Sequence, residues 1–460
     1  MAINNTKRNK MNEQAPEVRA KNFKEVALGF DDDMALCEAD RCLECKAAPC
    51  RKGCPVGVNI PAFINRIKNK DLDGAVEVLK GDNNLPAVCG RVCPQEEQCE
   101  KFCVRKEKLG GSVAIGSLER YVADYSIFRA PKQAPKSITP NGKKAAIVGS
   151  GPAGLTCAAD LALAGFKVTV YEAFHKAGGV LVYGIPEFRL PKALVQAEID
   201  KLSELGVDVQ LNTIIGKTIM LDELIDDCDA VFIGTGAGLP SFLRINGENL
   251  NGVYSANEYL TRVNLMKAYE PDSITPIQIG KNVVVVGAGN VAMDSARTAL
   301  RLGAENVYLV YRRGRDEMPA RAEEIHHAEE EGIQFNLLTN PIEILGENSK
   351  VTAVKCIKME LGEPDASGRR RPVPIEGSEF EFACDQVIVA VGTSPNPLLK
   401  NSCSSLETSK WGTIVINEET GETSIEDVYA GGDAVTGAAT VILAMGAGKL
   451  AAKSIINKIK

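Results

Sequence analysis

Histidine is nearly absent: His175, His326 and His327 are the only three in 460 residues. A reaction built on imidazole proton relays, or a metal site of several imidazoles, has little to draw on here. His175 stands alone. The adjacent His326 and His327 fall in a predicted helix with Glu323, Glu324 and Glu329, which reads as a solvated face. A run of about 18 apolar residues is missing too, so no transmembrane helix is expected. Met1 to Arg19 is polar and has no apolar signal core. Excess positive charge is also lacking: 53 Lys and Arg stand against 60 Asp and Glu, a net charge of −7. Lys7, Arg8 and Lys10 make no long basic stretch, and nucleic-acid binding has little support. A cytoplasmic protein is expected. Hydrophobic content of 45% and charged content of 25% are those of an ordinary globular chain, long enough for about three domains.

Cysteine, by contrast, is plentiful and clustered. Nine of the fourteen lie between residues 37 and 103. Eight form two mirrored runs, Cys42-x2-Cys45-x4-Cys50-x3-Cys54-Pro55 and Cys89-x3-Cys93-Pro94-x4-Cys99-x3-Cys103. In a reducing compartment such thiols are metal or redox ligands rather than disulfides. Structural zinc is the alternative, but it commonly uses C-x2-C pairs, and only Cys42 and Cys45 form one. The longer gaps favour iron–sulfur clusters, as does a proline after the last cysteine of a run. Cys37 lies outside both runs as a free thiol. Cys157, Cys228, Cys356, Cys384 and Cys403 are scattered and read as small buried hydrophobes.

Composition divides the chain. Residues 1–35 are polar. Residues 60–80 and 112–128 carry helical periodicity, so a small helical domain is expected around the cysteines. Residues 129–143, with three prolines, read as a linker. Two βαβ units follow. In the first, the apolar run Lys144 to Val148 leads into Gly149-Ser150-Gly151-Pro152-Ala153-Gly154, a helix, and a strand ending at Glu172. In the second, Asn282 to Val286 leads into Gly287-Ala288-Gly289-Asn290-Val291-Ala292, a helix, and a strand ending at Tyr311. Each glycine turn follows a strand, opens a helix and suits a dinucleotide pyrophosphate on the helix N-terminus. The two differ where the ribose would lie. Glu172 suits a free ribose, hence NAD or FAD. Arg312 and Arg313, followed by Arg315, suit the 2′-phosphate of NADP(H). Ala292 in place of the third glycine is tolerated by the fingerprint.

Further on, Asp427-Val428-Tyr429-Ala430-Gly431-Gly432-Asp433 reads as a strand, a glycine turn and a carboxylate, with a small-residue helix over 438–455. Together with the cysteine runs, the segment from Gly178 to Pro191, Gly234-Thr235-Gly236 and Val391-Gly392-Thr393, this resembles the glutamate synthase small-subunit family. That family includes the large subunit of NADH-dependent reduced ferredoxin:NADP oxidoreductase, and the chain is also similar to the flavin–NADPH end of dihydropyrimidine dehydrogenase. The likeness covers roughly residues 35–460.

The resemblance implies an α+β multidomain fold. Residues 1–140 would form a helical domain with two 4Fe-4S clusters and the linker. Residues 141–245 and 393–460 would bind FAD, and residues 246–392, inserted between them, NADP(H). It implies FAD contacts at Gly179, Arg189, Thr235, Gly392, Gly432 and Asp433, with Ala439 and Thr440 at a helix N-terminus facing the flavin. That dipole would favour the charge of reduced flavin. It implies one cluster on Cys42, Cys45, Cys50 and Cys103. Cys54, Cys93 and Cys99 would hold three corners of the other, whose fourth corner is either Glu119 or Cys89. No acid–base catalytic residue is required. The chain would be one subunit, moving electrons between NADPH and a partner flavoprotein. That partner is a glutamate synthase large subunit or the small flavin/2Fe-2S subunit of a bifurcating ferredoxin:NADP oxidoreductase, with ferredoxin a further partner. Residues 178–191 look closer to the second group.

Overall fold

The computed structural model describes residues 7–106, 110–131, 137–364 and 370–459. Part of the proline-rich linker, 132–136, lies outside the described residues.

The cysteine-rich segment folds into short helices. Asp32–Asp40, Ile60–Lys68, Leu72–Asp82, Pro86–Val92 and Ile115–Phe128 surround a core of Phe63, Ile64, Leu79, Leu118 and Val122. Each such side chain, fully buried, contributes roughly 1.5–3 kcal/mol. The periodicity over 60–80 turns out to be two helices, not one. Lys70 takes a left-handed φ of 57°, and the Asp71 carboxylate caps the second helix by accepting from the Gly74 amide at 2.9 Å. The polar N-terminus is more ordered than its composition suggests: Asn12–Glu13 pairs antiparallel with Ala27–Gly29.

Two five-stranded parallel sheets follow. The first has the order Val428–Ala430, Ala230–Ile233, Lys144–Val148, Lys167–Tyr171, Asp208–Gln210. The second runs Gln334–Leu337, Asn306–Tyr311, Asn282–Val286, Gln386–Val389, Val253–Ser255. The chain thus leaves the first sheet, builds the second and returns to add its last strand. The outgoing segment Leu239–Pro240 and the returning segment Thr393–Ser394 pair with each other. An antiparallel sheet of Thr339–Glu347, Lys350–Pro364, Arg370–Pro374 and Phe380–Ala383 covers one face of the second parallel sheet. Apolar residues on both faces of these strands, such as Val283 to Val285, are fully buried, as parallel strands require.

The first glycine-turn helix, Pro152–Leu163, packs against the last helix, Val441–Ile459. The approach is close because position 448 is glycine; a Cβ there would lie 2.3 Å from the Ala153 carbonyl oxygen. That last helix also touches the cysteine domain, since a Cβ on Gly446 would sit 3.2 Å from the Pro55 carbonyl oxygen. Among the described residues no helix is long and apolar enough to cross a membrane.

Candidate redox site

The thiols gather in two separate groups. Cys42 and Cys45 follow the helix Asp32–Asp40, and Cys50 sits in the short helix Pro49–Lys52. Glu44 and Ala48 take left-handed φ values of 49° and 40°, curling the chain so that these sulfurs face one centre. Cys103 arrives from the second run. One cavity is lined by Cys42, Cys45, Cys50 and Cys103 with Ile60 and Ile64. Burial pushes the Cys50 thiol up to about 11, helped by Cys42, Cys103 and Cys45.

In the second group, burial raises Cys54 to about 11, with Glu119 and Cys89 adding to it. Cys93 is raised by its hydrogen bond with Cys89, by burial, and by Glu119 and Cys99. Cys99 is raised by burial, Glu100, Glu119 and Cys54. Glu119 is buried in the helix Ile115–Phe128, and burial lifts it to about 8 against the pull of the Asn83 amide, which donates to it at 2.6 Å. Asn83 also holds the Cys89 sulfur at 3.7 Å, and Met445 lies 3.5 Å beyond. Cys37 is exposed and belongs to neither group.

These donor sets fit iron–sulfur clusters better than zinc. Buried thiolates repel one another, so a cationic centre must lie among them. Tetrahedral zinc at 2.3 Å from each sulfur would hold sulfurs about 3.8 Å apart. Among the described residues no three cysteine sulfurs lie within 4.8 Å of one another. An iron–sulfur cube is wide enough to hold sulfurs at such distance.

The first glycine turn also fits its expected group. Gly149 has φ of 100°, and a Cβ there would stand 2.6 Å from the Gly234 carbonyl oxygen; on Gly154 a Cβ would stand 2.0 Å from the Gly149 oxygen. Gly151 is different: its Cβ would meet only the Gly234 oxygen, at 3.9 Å, which leaves room for a pyrophosphate at the start of the helix. Pro152 and Ala153 open that helix. Glu172 is buried and accepts from the Ser150 amide at 3.0 Å, from the Ser150 hydroxyl, and from the Phe174 amide. Gly179 crosses directly over Gly151. Asp433 accepts from the Ala439 amide at 3.2 Å, just before the helix Val441–Ile459, with Thr440 between; burial raises its carboxyl. The Tyr183 phenol is pushed up to about 12 by burial, with the Asp433 and Glu172 carboxylates adding to it. Thr235 and Gly392 stand exposed where the two sheets join.

The second turn repeats the design. A Cβ on Gly287 would stand 2.3 Å from the Ala390 oxygen, whereas one on Gly289 would meet nothing nearer than Pro319 at 3.9 Å. Asn290 accepts from the Arg321 amide, Val291 is exposed, and Ala292 is fully buried, which explains why a small residue suffices there. Arg312 is exposed and without a partner among the described residues, while Arg313 spends Nε on the Arg370 carbonyl at 3.1 Å. Arg315 is paired with Glu329.

One site residue is already engaged within the protein, and one expectation needs correction. Arg189, expected at the flavin, donates to both oxygens of Asp294 at 2.8 Å and lies 3.0 Å from Glu324. The helix Ala322–Glu330 is not a solvated face. His326 is exposed, but His327 and Glu324 are buried, and His327 Nε2 lies 3.0 Å from the Glu13 carboxylate. Four of the scattered cysteines are buried as expected; Cys228 is half-exposed.

A buried ion network joins all three regions and went unread in the sequence. Arg19 pairs with Glu330 and, at 3.1 Å, with Glu331. Glu331 also receives Arg297 at 2.7 Å and Arg301 at 2.6 Å. The Phe188 ring lies 3.9 Å under the Arg301 guanidinium.

Family models match twice: dihydropyrimidine dehydrogenase domain II, 4Fe-4S cluster, over residues 19–130, and pyridine nucleotide-disulphide oxidoreductase over residues 143–448. The chain is 41% identical to the NADP(+)-dependent formate dehydrogenase subunit beta of Moorella thermoacetica, over 89% of this chain and 59% of that one. It thus spans less than two thirds of that relative. It is 37% identical to the glutamate synthase [NADPH] small chain of Azospirillum brasilense, over 95% and 92% of the two chains. Mycobacterium tuberculosis FprA in complex with NADPH shares the fold at a TM-score of 0.58 and 22% identity, covering 69% of this chain and 84% of that one. With two separated thiol groups and two dinucleotide turns, this chain belongs to the NADP-dependent FAD and iron–sulfur oxidoreductases, in the family of the glutamate synthase small chain.

Proposed function

We propose that this chain is the NADPH-linked subunit of a larger redox enzyme, passing electrons between NADP(H) and a partner flavoprotein through FAD and two 4Fe-4S clusters. The observation that carries this reading is the arrangement of the thiols. Cys89, in one group, lies 3.5 Å from Met445 of the helix Val441–Ile459, whose N-terminus lies beside Asp433; the thiols of the other, Cys42, Cys45, Cys50 and Cys103, are half-exposed. The cofactors supply the chemistry: hydride transfer, splitting of an electron pair, and one-electron carriage. The protein supplies position and local charge.

In this reading residues 1–140 hold the clusters, 141–245 with 393–460 hold FAD, and 246–392 hold NADP(H). Glu172 and Asp433 bind the FAD ribose and ribityl hydroxyls, and Arg312 takes the 2′-phosphate of NADPH. Cys42, Cys45, Cys50 and Cys103 hold the outer cluster. Cys54, Cys93, Cys99 and Glu119 hold the inner one, a reading supported by the buried Glu119 carboxylate, which raises all three thiols. The partner is a large subunit of the glutamate synthase type, in the cytoplasm.

Iron and flavin analysis tests the reading. About eight irons, on the basis of two four-iron clusters, and one FAD per chain are expected. Anaerobic NADPH should bleach the visible spectrum. Stoichiometric zinc without flavin would overturn it.

A further inference from the structure

A 2′-phosphate calls for net positive charge, and the turn after the strand Asn306–Tyr311 does not supply it alone. That turn runs Arg312, Arg313, Gly314, Arg315, Asp316, Glu317. Arg315 is taken by Glu329 and lies 5.8 Å from the centre of the Phe335 ring. What remains is Arg312 and Arg313 against Asp316 and Glu317, two charges of each sign. A phosphate monoester, carrying roughly −1.5 to −2 at neutral pH, gains little from such a balance.

The missing cation arrives from 53 residues further along. Arg370 opens the strand Arg370–Pro374 of the antiparallel sheet. Its Nε donates to Glu317 Oε1 at 2.7 Å, and its Nη2 pairs with the same oxygen. The other carboxylate oxygen of Glu317 accepts from the Gly314 amide at 3.1 Å. Glycine at 314 permits this approach, since a Cβ there would lie 2.9 Å from that oxygen. In return, Arg313 Nε donates to the Arg370 carbonyl at 3.1 Å. Among the described residues Arg313 bonds through Nε alone, which leaves both of its terminal nitrogens for an anion. Two further bonds hold the frame. The Tyr311 hydroxyl donates to the Glu317 carbonyl at 2.8 Å, and the Leu338 amide to the Arg313 carbonyl at 3.0 Å.

We propose that Arg370 is a positioning residue that sets the preference for NADP(H) over NAD(H). It cancels the Glu317 carboxylate and fixes the Arg313 side chain, so that the turn offers net positive charge to a 2′-phosphate. The antiparallel sheet thereby completes a specificity that the βαβ unit holds only in part. A carboxylate left uncancelled beside the phosphate would act as a repulsive element, favouring the nucleotide that lacks the phosphate. Arg370 is 41% exposed, so its pair with Glu317 adds little to stability and its loss should leave the protein folded. The inference rests on the reading that Arg312 faces the 2′-phosphate.

The test uses nucleotide fragments, so that electron transfer does not enter. Calorimetry on the holoprotein compares adenosine 2′,5′-bisphosphate with 5′-AMP, which lacks the phosphate in question. Arg370→Ala should lose roughly tenfold in affinity for the bisphosphate and keep its affinity for 5′-AMP. Arg370→Lys, which retains the charge, should keep most of the binding. Glu317→Gln added to Arg370→Ala should restore it, because the uncancelled carboxylate is then gone. An equal loss for both probes would overturn the proposal, as it marks general disruption. A selective loss that Glu317→Gln fails to restore would overturn it too. Arg312→Ala separates this inference from the reading beneath it. If that variant weakens the bisphosphate and Arg370→Ala does not, the phosphate site stands and the role of Arg370 falls. If neither variant matters, the site itself is wrongly assigned and both fall.

Discussion

Arg189 grips Asp294 with one guanidinium nitrogen 2.8 Å from each carboxylate oxygen, across 105 residues of sequence. Asp294 lies in the helix Asn290–Leu302, which begins at the second glycine turn. Arg189 follows the segment that crosses the first turn. A buried contact therefore ties the segment that follows the first glycine turn to the helix that opens at the second. Both groups are almost fully buried, so neither can recover hydration if the other is lost.

Arg189→Ala should accordingly destabilise the folded protein by about 3–5 kcal/mol, the usual cost of leaving a buried charge without its partner. Adding Asp294→Asn to that variant should recover part of the loss, because the orphaned charge is then removed. Urea denaturation of the wild type and the two variants checks this, and a second substitution that recovers nothing would contradict it.

Glu331 gives a pH dependence with a defined sign. Against the burial that would raise it, Arg301 and Arg297 hold its carboxyl down to about 2. The unfolded carboxyl titrates near 4.3. Below that value the unfolded state binds more protons, so stability is present above it and is lost as pH falls toward 2. Glu331→Gln should flatten the fall in thermal midpoint over that window, relative to the wild type, when both are followed by circular dichroism.

Arg312→Ala combined with Arg313→Ala should weaken NADPH and leave NADH nearly untouched. Charge-assisted bonds of about 1.5–3 kcal/mol correspond to roughly tenfold to a hundredfold in KM for NADPH. Arg312 alone should carry most of it, since Arg313 is partly engaged with Arg370. Steady-state kinetics with both nucleotides decides, and an equal loss for both would remove the 2′-phosphate role.

The inner cluster can be probed at its two contested ligands. With Glu119 as ligand, Glu119→Ala should alter the EPR signal of one cluster, while Cys89→Ala leaves both signals in place. The reverse pattern would assign the corner to Cys89.

Much of this was legible along the chain because it is local. Glycine turns between a strand and a helix, cysteines at fixed gaps and a carboxylate at a strand end are fixed by backbone geometry over about thirty residues. Cys103 comes beside Cys42, Cys45 and Cys50 in one cavity from across the domain. The break at Lys70 was harder to see, since apolar periodicity continues through it and only the Asp71 cap marks the new helix. The His326–His327 helix misled for the opposite reason. Its charges look like a solvated surface, yet Glu324 and His327 are buried because their partners, Arg297, Arg189 and Glu13, arrive from three distant segments.

By itself, then, the sequence determined the chemistry: thiolate groups for clusters, two pyrophosphate cradles, and the different ribose signals of Glu172 and Arg312. Tertiary structure alone decided how these parts are held together. Arg19 reaches Glu331 over 312 residues, and Arg189 reaches Asp294 over 105. An ion pair has no sequence period. Its partners are chosen by which surfaces come together, and its strength by how completely water is excluded when they do.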